Sequence, residues 1–393
     1  MQCLIADCGA HSVKAGYSSS SNARIVPNYI VKSKSERKRV FIGCQIDELK
    51  DYSSLYYMVG FQKGYLVNWD VQRKLWDWMF GKDCFKVSFS DTALILTEPY
   101  FNFPSVQETL DEIFFEDYEF SALYRVNPST LSALNYTAAH ANSQCCLVVD
   151  SGHSFTHIVP YCRGRMLKPA TVRIDIGGKA LTNHLKEIIS YRQLHVLDET
   201  YVINQCKEDA CYVATNFMDE MARARQKGAN NKIVREYILP DFTTLWRGVL
   251  RVPGTQPPAD TEQILRLGNE RFSVPEVLFH PSDVGLEQMG ISETIEYVIN
   301  QCPQVLRPHL AQNIVLTGGS CMFPGFSERV LHDVRAAFPS VHDVSVICPD
   351  GADQYAWEGG KILTNSPYIS QMCVTRKEYA EFGHKICQQK FGS

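Results

Sequence analysis

One turn motif occurs twice in this chain, and any fold must accommodate both copies. Between Leu147 and Pro160, three apolar residues lead into Asp150, Ser151 and Gly152 follow, and an alternating run begins at Phe155. Between Leu4 and Tyr17 the order is the same: apolar residues, Asp7, one residue, Gly9, a short turn, a second run. Each reads as a tight β-hairpin with a carboxylate at its mouth. Glycine permits positive φ and close approach, so such a turn can aim backbone N–H groups at a phosphate. The carboxylate would then hold the waters of a hydrated Mg²⁺. One Asp-Ser-Gly turn is ordinary turn chemistry. Two copies, with Asp7 and Asp150 143 positions apart, suggest a duplicated domain with a phosphate clamped between facing hairpins.

Length and charge narrow the alternatives. A chain of 393 residues can bury large cores and suggests two or more domains. Its net charge of −4 supplies no overall field toward nucleic acid. Five cations between Lys32 and Arg39 read as a solvated loop, a nuclear-import signal or a phosphate contact. Fourteen cysteines without Cys-x-x-Cys pairs or regular ligand spacing read as reduced thiols of a cytosolic or nuclear protein, with no metal site. No basic segment followed by a long apolar stretch opens the sequence, so no signal peptide is expected. No apolar run approaches the ~18 residues of a membrane span.

Between the hairpins, Asn68 can cap a helix whose Val71, Leu75, Trp78 and Met79 share one face. Thr92 to Thr97 reads as a strand, Pro104 opens a helix, and Pro128 stands near the first turn of another. After the second hairpin, Gly177 and Gly178 make a turn into a helix, with His184 on its surface. Val202 to Met221 reads as one helix, whose Lys207 and Glu208 could hold a purine and ribose or form an exposed pair. Arg223, Arg225, Lys227, Lys232 and Arg235 read as a solvated basic face. Prolines and glycine between 241 and 262 argue against a regular element there. A long loop inside a compact domain is functional or disordered. Trp246, Arg247 and Arg251 are of types that serve partner binding. A buried strand from Ile314 ends in Thr317-Gly318-Gly319, a third glycine-rich strand end where a nucleoside could approach the backbone.

Read along the whole chain, these motifs resemble the actin family. Asp-x-Gly to Lys-Ala-Gly, Asp-Ser-Gly to Thr-His-x-Val-Pro, Lys-Glu to Cys-Tyr-Val-Ala, Gly-Asn-Glu-Arg-Phe, Asn-Ile-Val-Leu-Thr-Gly-Gly and Trp-x-Gly-Gly occur in actin order. The resemblance implies an α/β, actin-like duplicated ribonuclease-H-type fold, with two lobes of two subdomains around a central cleft. The first subdomain would take 1–27, 60–138 and 356–393, and the second 28–59, with a shortened loop. The third would take 139–176 and 287–355, and the fourth 177–286, with an inserted loop at 241–262. The residues retained for nucleotide are Asp7, Gly9, Lys14, Asp150, Gly152, His157, Gly178, Lys207, Glu208, Gly318, Gly319 and Met322.

The departures from conventional actins are as informative. Ala10 and His11 stand where actins have a small hydroxyl residue and Gly, and His153 and Ser154 where they have Asp-Gly. Pro128 replaces the helical Gln that orients the attacking water, and Asp353 a Lys beside the adenine. Without the water-positioning group, ATPase activity is expected to be absent or vestigial, and neither ATP nor Mg²⁺ to be required. The stretches Phe61 to Asp70 and Ser190 to Val196, with the insert, are similar to the nuclear actin-related proteins of chromatin remodellers that install a variant histone. That likeness implies a nuclear protein, with some in the cytoplasm, serving as an adaptor. Its implied partners are a large remodelling ATPase and a small zinc-finger subunit, with histones or the nucleosome met indirectly. Neither membrane binding nor self-polymerisation is expected, the segment between Tyr29 and Phe41 being short. The competing readings are a nucleotide-dependent switch or weak ATPase, and a filament former.

Overall fold

A computed structural model describes residues 2–36, 39–254 and 262–392. Arg37 and Lys38 of the basic run and residues 255–261 of the insert lie outside these.

Two six-stranded sheets share one plan. In the first, the hairpin Gln2–Cys8 and Ser12–Tyr17 pairs antiparallel with Asp7 opposite Lys14, and its first strand runs parallel to Thr92–Thr97. Ala122–Val126 extends that side and Arg24–Pro27 the other. In the second, Cys145–Ser151 and Thr156–Cys162 form the hairpin, with Asp150 opposite His157. Its first strand runs parallel to Ile314–Thr317. The central strands are apolar along their length, as sheets covered on both faces require. Leu4, Ala6, Leu94 and Leu123 pack with Leu75, Trp76, Met79 and Phe114 in one core. Leu147, Val149, Ile158 and Leu316 pack with Leu181, Leu185 and Ile203 in the other.

Helices form where capping and periodicity place them. Asn68 Oδ1 accepts from the Val71 N–H at 3.2 Å and starts Trp69–Phe80. Pro128 is the first residue of Pro128–Ala139. That helix packs on Tyr355–Thr364 so closely that a Cβ on Gly359 would lie 2.0 Å from the Leu131 carbonyl oxygen. The stretch expected as one helix from Val202 to Met221 is two, Thr200–Ala210 and Phe217–Ala224. The residues between leave the helix because tertiary partners claim their amides. Tyr212 N–H donates to Arg271 O at 2.9 Å and Val213 N–H to Pro324 O at 2.8 Å.

Two three-stranded sheets and the short hairpin of Phe61–Gln62 with Tyr65–Leu66 complete the sheets of the described residues. Tyr29–Lys32, Phe41–Ile42 and Tyr56–Val59 form one. Val249–Arg251, Arg235–Ile238 and Ile264–Leu267 form the other. Val249–Arg251 corrects the expectation that the insert holds no regular element. Its edge position needs only one row of hydrogen bonds, which the nearby prolines do not interrupt. All fourteen cysteines are free thiols. No helix of the described residues is long and apolar enough to cross a membrane.

Contacts bridge the two halves at the outer rim. Glu199 accepts from the Ser54 N–H at 3.0 Å and the Ser54 hydroxyl at 2.8 Å. Tyr52 stacks on Tyr201, centroids 4.6 Å apart, and touches Phe242 of the insert at 5.7 Å. Nearer the centre, Arg173 donates to Lys63 O at 2.8 Å and lies over the rings of Tyr65 and Phe155.

Candidate functional site: a cleft between the two hairpins

The two turns face each other across a cleft of about 500 Å³. Asp7, Gly9, Lys14, Asp150, Gly152, Gly178, Lys207, Glu208, Gly318, Gly319 and Met322 all line it. His157 does not. It is buried among Phe155, Tyr100 and Phe101, at centroid distances of 4.3, 5.0 and 6.3 Å, and its Nε2 has no partner. Desolvation there, with Arg173 nearby, holds its pKa down at about 3. The structure thus sets His157 apart from the other eleven residues, outside the cleft lining.

Each carboxylate is set by its strand. Thr97 Oγ1 donates to Asp7 Oδ1 at 2.8 Å and accepts from the Cys8 N–H at 2.8 Å. Burial raises the Asp7 pKa, while Lys14 and Thr97 oppose the rise. Burial and the nearby Asp7 push Asp150 up to about 7, against Lys14. The raised pKa makes a pH statement. Asp150 binds its proton more tightly folded than unfolded, so its contribution is fully favourable below pH 3.8 and is lost as pH rises through 7. The cost above that is at most about 4 kcal/mol. Asp150→Asn is expected to raise the thermal midpoint at pH 8, with a smaller gain at pH 5. Equal gains at both would refute the ionisation account.

Two imidazole rings line the cleft between the turns. His11 and His153 sit 4.8 Å apart, tilted by 36°, and His11 also meets Tyr29 at 5.6 Å. Desolvation, aided by Lys14 and Lys207, brings His11 down to about 4. Desolvation and His11 itself hold His153 well below the usual range. Both rings are thus neutral at pH 7. The amides of the glycines are also engaged: Gly9 N–H donates to Asp7 O at 3.2 Å and Gly152 N–H to Phe155 O at 3.0 Å. The second turn is braced from behind by the Gly178 and Lys179 N–H groups, which donate to Gly152 O and His153 O at 3.0 and 2.8 Å. Gly177 must lack a side chain, since a Cβ would lie 2.6 Å from Gly152 O.

The other end of the cleft is more open. Lys207 is buried, which excludes an exposed Lys207–Glu208 pair. Its Nζ donates to Thr182 Oγ1 and Asn204 Oδ1 at 2.9 Å and to Gly178 O at 3.2 Å, joining Thr200–Ala210 to Gly178–Arg192. Burial lowers its pKa, and Glu208 resists. Asn204 Nδ2 holds Glu208 at 2.8 Å. Nothing lies within 4 Å of where a Gly319 Cβ would stand. Gly318 has φ +89° and backs on Ser151 O. Met322 is 57% exposed, and Pro128 and Asp353 complete the wall. Thr97, Thr182 and Asn204 escaped the sequence reading because single hydroxyl and amide residues carry no local pattern.

In the described part of the insert, Asp241 closes a turn on its own chain. Asp241 Oδ1 accepts from the N–H groups of Thr243, Thr244 and Leu245 at 2.8–2.9 Å. Arg247 pairs with Asp209 at 2.6 Å, and Arg251 with Glu236 at 2.9 Å and Glu262 at 3.2 Å. Trp246 remains 52% exposed.

Two like halves, each presenting an acidic hairpin to a shared cleft, define an actin fold. The actin family model matches residues 1–392, and the chain belongs to the actin family. Among curated proteins it is similar to actin-related protein 6 of Drosophila melanogaster, 44% identical over 394 residues, covering 98% of this chain and 99% of that one. It is also similar to the actin-like protein ARP6 of Cryptococcus neoformans, 40% identical over 99% of this chain and 84% of that one. Actin-related protein 6 of Arabidopsis thaliana is 36% identical over 99% of both chains.

Proposed function

We propose that this protein is a non-catalytic adaptor subunit of a nuclear ATP-dependent chromatin-remodelling complex that exchanges a variant histone into nucleosomes. The observation that carries the non-catalytic part is the His11–His153 contact, which sets two bulky rings between the turns. In this reading the two rings crowd the path of a triphosphate between the turns, while the space open at Gly319 favours a nucleoside at the other end. Pro128 offers no side-chain group to orient a water. The adaptor part is supported by likeness to proteins named actin-related protein 6 and by motifs similar to remodeller subunits. A large remodelling ATPase and a small zinc-finger subunit are the partners of this reading, with Trp246 the exposed contact on the insert.

The open nucleoside end favours a second reading, a nucleotide-dependent switch. Two measurements test the choice. Calorimetry with ATP and Mg²⁺ is expected to give no micromolar binding, and micromolar binding would favour the switch. A tagged chain drawn from nuclear extract at raised salt is expected to bring a large ATPase and a zinc-finger subunit. Deletion of residues 242–260 should release the latter. A chain recovered alone, or only with itself, would overturn the adaptor reading.

A further inference from the structure

The segment from Arg223 to Arg235 takes no part in the cleft. It carries five cations and no carboxylate, in a chain whose net charge is −4. Two of the five are engaged. Arg223 pairs with Glu220 at 3.0 Å, and Arg235 Nη1 donates to Lys232 O and Val234 O at 2.8 and 2.9 Å. Arg225, Lys227 and Lys232 are exposed and appear in no ion pair among the described residues.

The loop that holds them is stapled from within by one side chain. Asn231 Nδ2 donates to Ala224 O at 3.0 Å and to Gln226 O at 2.9 Å. Its Oδ1 accepts from the Ile233 and Val234 N–H groups at 3.0 and 3.2 Å. Gly228, at φ +61°, reverses the chain in between. These bonds draw residues 224–226 against 231–234, so that Arg225, Lys227 and Lys232 stand on one short, fixed turn. Like charges held together repel, and an arriving polyanion relieves that repulsion. The segment has no aromatic residue on which a base could stack, and Ile233 is buried. An acidic peptide would find charge here but no apolar contact to add affinity. Duplex nucleic acid needs none, since its backbone offers one charge per ~1.7 Å and counterion release drives binding.

We propose that this stapled basic loop binds the phosphate backbone of duplex DNA without reading its sequence. The proposal is independent of which proteins the chain assembles with. It is tested by fluorescence anisotropy of the full chain with a short labelled duplex, across a salt series. Three phosphate contacts give a slope of log affinity on log salt of about −2.7, a loss of about twentyfold between about 50 and about 150 mM salt. The triple variant R225E/K227E/K232E, matched to the native chain in thermal midpoint, should bind at least about tenfold more weakly and flatten the slope by about that amount. The pair K32E/K34E, in the other basic run, should change neither. Failure of the native chain to bind, or unchanged binding by the triple variant, would overturn the proposal. So would an equal loss in K32E/K34E. Competition by polyglutamate as effective as by unlabelled duplex, charge for charge, would assign the loop to an acidic polypeptide instead.

Discussion

Arg125→Ala is expected to lower stability by about 3–5 kcal/mol, because it leaves carboxylates buried without their counter-charge. Arg125 lies at the centre of a closed network in the first lobe. Its Nε and Nη2 reach Asp111 at 2.7 and 3.2 Å, and its Nη1 reaches Glu98 at 2.7 Å. The Asp111 side chain is fully buried and that of Glu98 is 8% exposed, so neither can recover hydration. Asp111 also meets His384 Nδ1 at 2.6 Å, and the Phe391 ring lies 5.0 Å from the Arg125 guanidinium. The C-terminal helix His384–Phe391 should therefore loosen with the network. Differential scanning calorimetry would read a fall of about 4–6 °C. Arg125→Lys keeps one charge but loses the two-pronged contact, and should fall by less. Equal losses in the two variants would mean that the planar fork is not what matters.

Gly359→Ala should cost about 3 kcal/mol by a different route, the upper end of what overpacking does. The added methyl would meet the Leu131 carbonyl oxygen at 2.0 Å and its carbon at 2.5 Å. These are backbone atoms of a facing helix, so no rotamer change relieves the clash and the helices Pro128–Ala139 and Tyr355–Thr364 must separate. Gly164→Ala is the control: it has φ +70° but open space around it, so only backbone strain is added. Urea midpoints should drop more for Gly359→Ala than for Gly164→Ala. The reverse order would show that the helices have slack.

What was legible in the sequence was local. Asp7-x-Gly9 and Asp150-Ser151-Gly152 announced the hairpins, Asn68 its helix and Pro128 another, because turn and cap chemistry act within a few residues. What was not legible depends on distant partners. For Lys207 the sequence left a nucleotide contact and an exposed pair with Glu208 both open, and Thr182 and Asn204, which enclose it, exclude the second. His157 sat in a motif associated with nucleotide, yet Tyr100, 57 positions earlier, turns its surroundings into an aromatic box. The break after Ala210 came from Arg271 and Pro324 competing for amides that a helix would otherwise use. Arg247 and Arg251 have the residue type of interface contacts, but Asp209, Glu236 and Glu262 occupy them within the chain.

The stack of Tyr52 on Tyr201, with Ser54 held by Glu199, changes the mechanics of the molecule. On one side Tyr136 donates to Asn313 Oδ1 at 2.6 Å and joins the halves, and this rim contact joins them on the other. A body fastened at only one side works as a jaw, and ligand occupancy sets its gape. A body fastened at both is a ring, in which strain applied at any point is shared around the circumference. Phe242, at the start of the insert, is part of that fastening. A protein gripping the insert would pull on a hoop, and the load would be felt at the opposite wall.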